Sequence, residues 1–170
     1  MRQGSQKTAA QAKIINSPRT GSMNAARYWD TATLLPNGSV MVAGGQPNGS
    51  GNSAELYNMT NGTWTTTGSM KTFRYLHSAI LLPDGKVLVA GGFGSSAELY
   101  DPASGTWTMT GPMNVSRTDF AAVLLPNGKV LAAGGDNNTY GSSAELYDPT
   151  TDKWTFTSVV YHNCLYIFSC

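Results

Sequence analysis

The stretch Leu81–Trp107 reads LLPDGKVLVAGGFGSSAELYDPASGTW. Its order decides the fold: turn, apolar run, glycine pair, short strand-like segment, turn, tryptophan. Pro83-Asp84-Gly85 is a hairpin signal, because Asp-Gly tolerates the positive φ of a tight turn. Val87–Ala90 is apolar without alternation, which predicts a strand buried on both faces. Ala97–Tyr100 predicts a further strand. Asp101-Pro102 ends it, since proline cannot donate to a ladder, and leads to another strand at Thr106-Trp107-Thr108.

The same order recurs on either side. Glycine pairs stand at Gly44-Gly45, Gly91-Gly92 and Gly134-Gly135. Ser-Ala-Glu-Leu-Tyr occupies Ser53–Tyr57, Ser96–Tyr100 and Ser143–Tyr147. Trp64, Trp107 and Trp154 follow seven residues after those tyrosines, spaced 43 and 47 residues apart. Each unit opens with Gly-x-Met (Gly21–Met23, Gly68–Met70, Gly111–Met113) and an arginine (Arg27, Arg74, Arg117). The first strand of each unit is expected to run from arginine to proline, as in Arg74–Leu82. The second strands are Val40–Ala43, Val87–Ala90 and Val130–Ala133. Fixed repeats of 40–50 residues with four short strands each indicate an all-β propeller built blade by blade. The expected division is an N-terminal extension at 1–20, blades at 21–67, 68–110 and 111–157, and a divergent tail at 158–170.

These units resemble kelch repeats. The LLP[ND]GxV[LM]xAGG stretch is similar to the kelch blades of the galactose oxidase and glyoxal oxidase group, over about residues 21–157. The resemblance implies a partial kelch-type β-propeller of three four-stranded antiparallel blades. Enzymes of that group hold copper with two histidines, an axial tyrosine and a tyrosine cross-linked to cysteine, and a Tyr-His pair precedes LLPDG. Here His77 matches that histidine, but Leu76 stands where the tyrosine belongs and Tyr75 is shifted by one. One residue of shift reverses the face of a strand. His162, in Tyr161-His162, lies in the tail outside a recognisable blade, as do Cys164 and Cys170. The expectation is therefore no active oxidase, no catalytic residues, no metal and no cofactor.

Recurring residues read as structural. The glycine pairs allow close backbone approach or a sharp turn. Tyrosines and tryptophans are expected between blades, and the arginines and Glu55, Glu98 and Glu145 are expected to pair, as inter-blade ion pairs. A unique site belongs instead where the copies differ. Asp30, His77 and Phe120 each stand three residues after the arginine, next to Tyr28-Trp29, Tyr75-Leu76 and Thr118-Asp119. The loops Gln46–Asn52, Phe93–Ser95 and Asp136–Ser142 are expected on the same rim. The candidate binding surface is thus Tyr28, Trp29, Asp30, Tyr75, His77, Phe93, Asp119, Phe120 and Tyr140. Exposed aromatics beside polar loops suit a protein partner or a glycan.

A net charge of +1, with 12% charged residues, gives no footprint for nucleic acid or an acidic membrane. No run reaches the about 20 apolar residues of a membrane helix. The first 18 residues have no apolar core of signal-peptide type. Six Asn-x-Ser/Thr sites (Asn37, Asn48, Asn58, Asn61, Asn114, Asn137) would suit a secreted parent, but asparagine is also a turn residue. Cys164 and Cys170 read as free thiols, with a disulfide between them left open. Three blades fall short of the 4–8 of a closed propeller. Each flank would then expose an apolar sheet, so the expected solutions are a homodimer forming a six-bladed ring, capping by the termini, or a truncated or divergent chain, the last favoured because Val159–Cys170 breaks the pattern where another Gly-x-Met should begin.

Overall fold

The computed structural model describes residues 20–46, 50–135 and 142–157. Three antiparallel sheets follow one another along the chain. Blade 1 comprises β1 (Thr31–Leu34), β2 (Val40–Ala43), β3 (Ala54–Asn58) and β4 (Thr63–Thr66). Blade 2 comprises β5 (Ser78–Leu81), β6 (Val87–Ala90), β7 (Ala97–Asp101) and β8 (Thr106–Thr110). Blade 3 comprises β9 (Ala121–Leu124), β10 (Val130–Ala133), β11 (Ala144–Asp148) and β12 (Lys153–Phe156). Strands are ordered up and down in every sheet, and β1, β5 and β9 lie side by side. This is a partial kelch-type propeller, and the second strands have the bounds the apolar runs indicated. The first strands are shorter than expected: β5 begins at Ser78, because Arg74–His77 form a loop tied down by side chains.

Those ties run within blades, which corrects the expected inter-blade ion pairs. Arg74 Nη2 lies 3.0 Å from Glu98 Oε1, and both side chains are fully buried. Arg74 Nη1 also donates to the carbonyls of Gly91 and Ser96. Glu98 accepts the backbone N–H groups of Lys71 and Thr72. Arg27–Glu55 (2.9 Å) and Arg117–Glu145 (3.0 Å) repeat the arrangement. One buried ion pair per blade therefore clamps the loop before the first strand onto the third strand. The several hydrogen bonds offset part of the cost of removing both charges from water. At Glu55 burial pushes the carboxyl pKa up. Hydrogen bonds from Asn24, Arg27 and Ala25 outweigh it and hold the pKa below the usual value.

Between blades, the tyrosine–tryptophan side of one sheet covers the opposite side of the sheet before it. Tyr100, Trp107, Val87 and Val89 pack with Met41, Ala43 and Ala54. Tyr147, Trp154, Val130 and Ala132 pack with Leu88, Ala90 and Ala97. Backbone approach at these junctions is close. Gly92 N–H donates to the Arg117 carbonyl and Gly45 N–H to the Arg74 carbonyl, each at 2.8 Å. A Cβ on Gly91 would sit 2.5 Å from the Arg117 oxygen and 2.7 Å from Phe120 Cε1. The first glycine of the pair is thus a space requirement of the next blade, beyond its positive φ. The opening glycine of the unit has a second use: the Gly68 carbonyl accepts the Trp107 indole N–H at 2.7 Å. Asn58 and Asn61 accept nearby backbone N–H groups in turns. Asn114 is bonded to Glu145 and the Trp154 carbonyl.

Candidate functional site

Two sets of loops share one rim. Tyr28 and Gln46 exchange backbone hydrogen bonds of 2.7 and 2.9 Å, joining the loop before β1 to the loop after β2. The residues that follow are in the left-handed region at the same point of each blade: Trp29 (φ 60°), Leu76 (φ 53°) and Asp119 (φ 51°). None is glycine, so each position stores of order 1–3 kcal/mol of strain. The surroundings hold it in place. Leu76 N–H donates to the Trp29 carbonyl at 3.1 Å, and Asp119 N–H to the Leu76 carbonyl at 2.9 Å. This ladder crosses both junctions and presents Trp29 outward, 52% exposed.

Aromatic rings gather around it. Tyr28 is edge-on to Trp29 at 4.7 Å, and Tyr75 of the next blade lies at 5.9 Å with planes 31° apart. Phe73 meets Tyr75 at 6.0 Å and is itself exposed. Four aromatics from two blades therefore form one accessible platform. Sequence comparison omitted Phe73. The signal was available, because Phe73 precedes Arg74 where Ala26 and Ser116 precede the other arginines, so it also differs between copies.

The other candidates separate. Asp119 is exposed and Asp30 half-buried. Phe93 is 64% exposed in the short loop after Gly92. Tyr140 lies outside the described residues, as do His162 and both cysteines. His77 and Phe120 do not belong to the accessible surface expected for them. His77 is only 6% exposed, with Nε2 2.8 Å from Thr31 Oγ1 and its ring against Gly44. Phe120 is buried against Gly91 in the same way. The position three residues after the arginine is an inter-blade wedge, and what varies there is the filler. Burial, then the Arg74 charge, pushes the His77 pKa down to about 4, so the ring is neutral at physiological pH.

The wedge geometry bears on copper. His77 is the lone histidine among the described residues, and its Nε2 is engaged with Thr31. Phe120 and Asp30 occupy its counterpart positions. No three His, Cys, Asp or Glu side chains converge among the described residues. These residues do not fit the copper-ligand set described above. The opposite rim carries two shallow grooves. One, of about 380 Å³, lies between blades 2 and 3 and is lined by Asp84, Lys129 and Asp148 among others. The other, of about 440 Å³, lies between blades 1 and 2 beside Asn37, Lys86 and Asp101. They are the same turns repeated, so they follow from blade stacking.

The kelch motif matches residues 74–114 and 117–158. This chain belongs to the kelch-repeat family. In structure it is similar to a solved fungal alcohol oxidase of the AA5 family, determined in complex with copper. Identity is 24% over 76% of this chain, with a TM-score of 0.64. The likeness covers 30% of that enzyme's chain and is one of fold. No curated protein matches the sequence.

Proposed function

We propose that this kelch chain is a non-catalytic interaction module that takes a protein partner on the loop rim of blades 1 and 2. One observation carries the reading: Trp29 stands half-exposed on a strained, hydrogen-bonded loop, with Tyr28 and Tyr75 in ring contact on either side. Tryptophan and tyrosine are the residues on which binding energy concentrates at protein interfaces. They bury large areas at low entropic cost, and a fixed backbone lowers that cost further. Buried His77, bonded across a junction, supports a structural role in place of a ligand role. The same platform would stack a sugar ring, which makes a glycan the second reading.

A photo-crosslinking group placed at Asp30 tests the surface. The expected result is a discrete protein adduct that Trp29→Ala and Tyr75→Ala together abolish, while Phe156→Ala, at an exposed position elsewhere, leaves it intact. An adduct indifferent to the aromatic substitutions would refute the platform. Binding on a glycan array that the same pair abolishes would move the reading to carbohydrate. Copper-dependent alcohol oxidation lost on His77→Ala would overturn the non-catalytic reading altogether.

A further inference from the structure

Trp29, Leu76 and Asp119 stand at one point of the three blades, and backbone hydrogen bonds join them in a row. Leu76 N–H donates to the Trp29 carbonyl, and Asp119 N–H to the Leu76 carbonyl. Extended segments bonded to one another lie about 5 Å apart, so the row spans about 10 Å from Trp29 to Asp119. It crosses the junctions between blades 1 and 2 and between blades 2 and 3, so its spacing needs no further blade. Glycine would adopt the left-handed backbone of these positions freely, yet side chains occupy all three. Their chemistry changes along the row. Trp29 is 52% exposed beside Tyr75, Leu76 is half-buried, and Asp119 is exposed.

Asp119 differs from the other described carboxylates. Glu55, Glu98 and Glu145 are closed in the clamps. Asp84 and Asp148 pair with Lys86 and Lys129 on the opposite rim. Asp101 accepts the Ala103 N–H, and Asp152 accepts the Tyr147 hydroxyl. Among the described residues, only the carboxylates of Asp30 and Asp119 have neither an ion pair nor a hydrogen bond. Asp30 is half-buried at the wedge position, which leaves Asp119 as the exposed, unpaired charge of the row. The arginines of the same loops are closed in the clamps. Lys71 is exposed, with its N–H held at Glu98, and forms no ion pair among the described residues. The rim segments 47–49 and 136–141, outside the described residues, contain no lysine, arginine or histidine.

Resting on the reading of this rim as a protein-binding surface, we propose that the partner lays an extended, basic segment along the row. An apolar residue of that segment covers Trp29 and Tyr75, and a lysine or arginine meets Asp119. A polyproline II segment rises about 3.1 Å per residue with three residues per turn. Residues three apart therefore share a face at about 9 Å, which matches the row. Such segments dock on aromatic surfaces because they are extended before they bind. The charge at Asp119 selects the partner and rejects one with an acidic residue at that position.

A display library of proline-rich decapeptides, selected on the full chain, tests this. Lysine or arginine should be enriched three positions from an apolar residue, and the selected peptides should need Trp29 and Tyr75, losing binding when both are changed to alanine. Asp119→Lys should weaken them about tenfold and turn the enrichment at that position to aspartate or glutamate. Lysine is accommodated there, since tryptophan and leucine hold the same backbone in the other blades. Asp84→Asn removes an equal charge from the opposite rim, at a turn where blades 1 and 3 carry Asn37 and Asn127, and should change nothing. Peptides that need the aromatic pair but show no basic preference at that spacing, or keep it on Asp119→Lys, would overturn the row and leave the platform standing. A full chain that binds no peptide through the aromatic pair would overturn both.

Discussion

Blades 2 and 3 share Ser-Ala-Glu-Leu-Tyr-Asp-Pro and nearly the same second strand, yet they bury that strand differently. Val87–Ala90 is buried at all four positions. Val130–Ala133 alternates, with Leu131 and Ala133 half-exposed. The sequence pattern is the same, so the difference comes from neighbours: among the described residues, blade 2 is covered on both sides and blade 3 on one. A non-alternating apolar run marks a strand meant for two-sided burial whether or not both neighbours are present. The ion pairs behave otherwise. Glu55, Glu98 and Glu145 are equally buried, because each clamp closes within its own blade.

That contrast can be broken by substitution. Arg74→Ala leaves Glu98 buried and uncompensated, and should cost about 3–5 kcal/mol. Arg117→Ala should cost the same in blade 3, as read by denaturant unfolding. Unequal losses would mean that the clamps depend on neighbours after all. The equivalent leucines should divide. Leu88→Ala removes a side chain buried between blades 2 and 3 and should cost about 3 kcal/mol. Leu131→Ala should cost about 1 kcal/mol, because the site is half-exposed.

The wedge between blades 1 and 2 titrates. His77 has a folded pKa of about 4 against about 6.5 when unfolded, so the unfolded chain binds the extra proton between those values. Stability is full above pH 6.5 and falls as the pH drops to 4, by about 3 kcal/mol at most. His77→Phe installs the filler that blade 3 uses. It should flatten that segment of the melting temperature against pH profile; an unchanged slope would contradict the assignment. The smallest effect belongs to the hydroxyl bonds. Tyr100→Phe should cost about 1 kcal/mol through the lost Thr67 bond, and Tyr57→Phe almost nothing in a single open chain.

Much of this was legible in the sequence. Gly-Gly, Ser-Ala-Glu-Leu-Tyr and the spaced tryptophans locate every blade, because each is dictated by contacts that recur. The partners of Arg74 and Glu98 were harder to read. Recurrence marks a pair as structural but does not say whether it closes within a blade or across two. His77 and Phe120 show the limit of looking where copies differ, since a junction admits several fillers and variation there reflects packing. Phe73 was visible by the same criterion. The left-handed backbone at Trp29, Leu76 and Asp119 had no glycine to announce it.

The proposed partner rests on the platform of Tyr28, Trp29, Phe73 and Tyr75. Photo-crosslinking from Asp30, before and after Trp29→Ala and Tyr75→Ala together, checks this. A discrete protein adduct that the two substitutions abolish is expected, and an adduct that survives them would refute the platform.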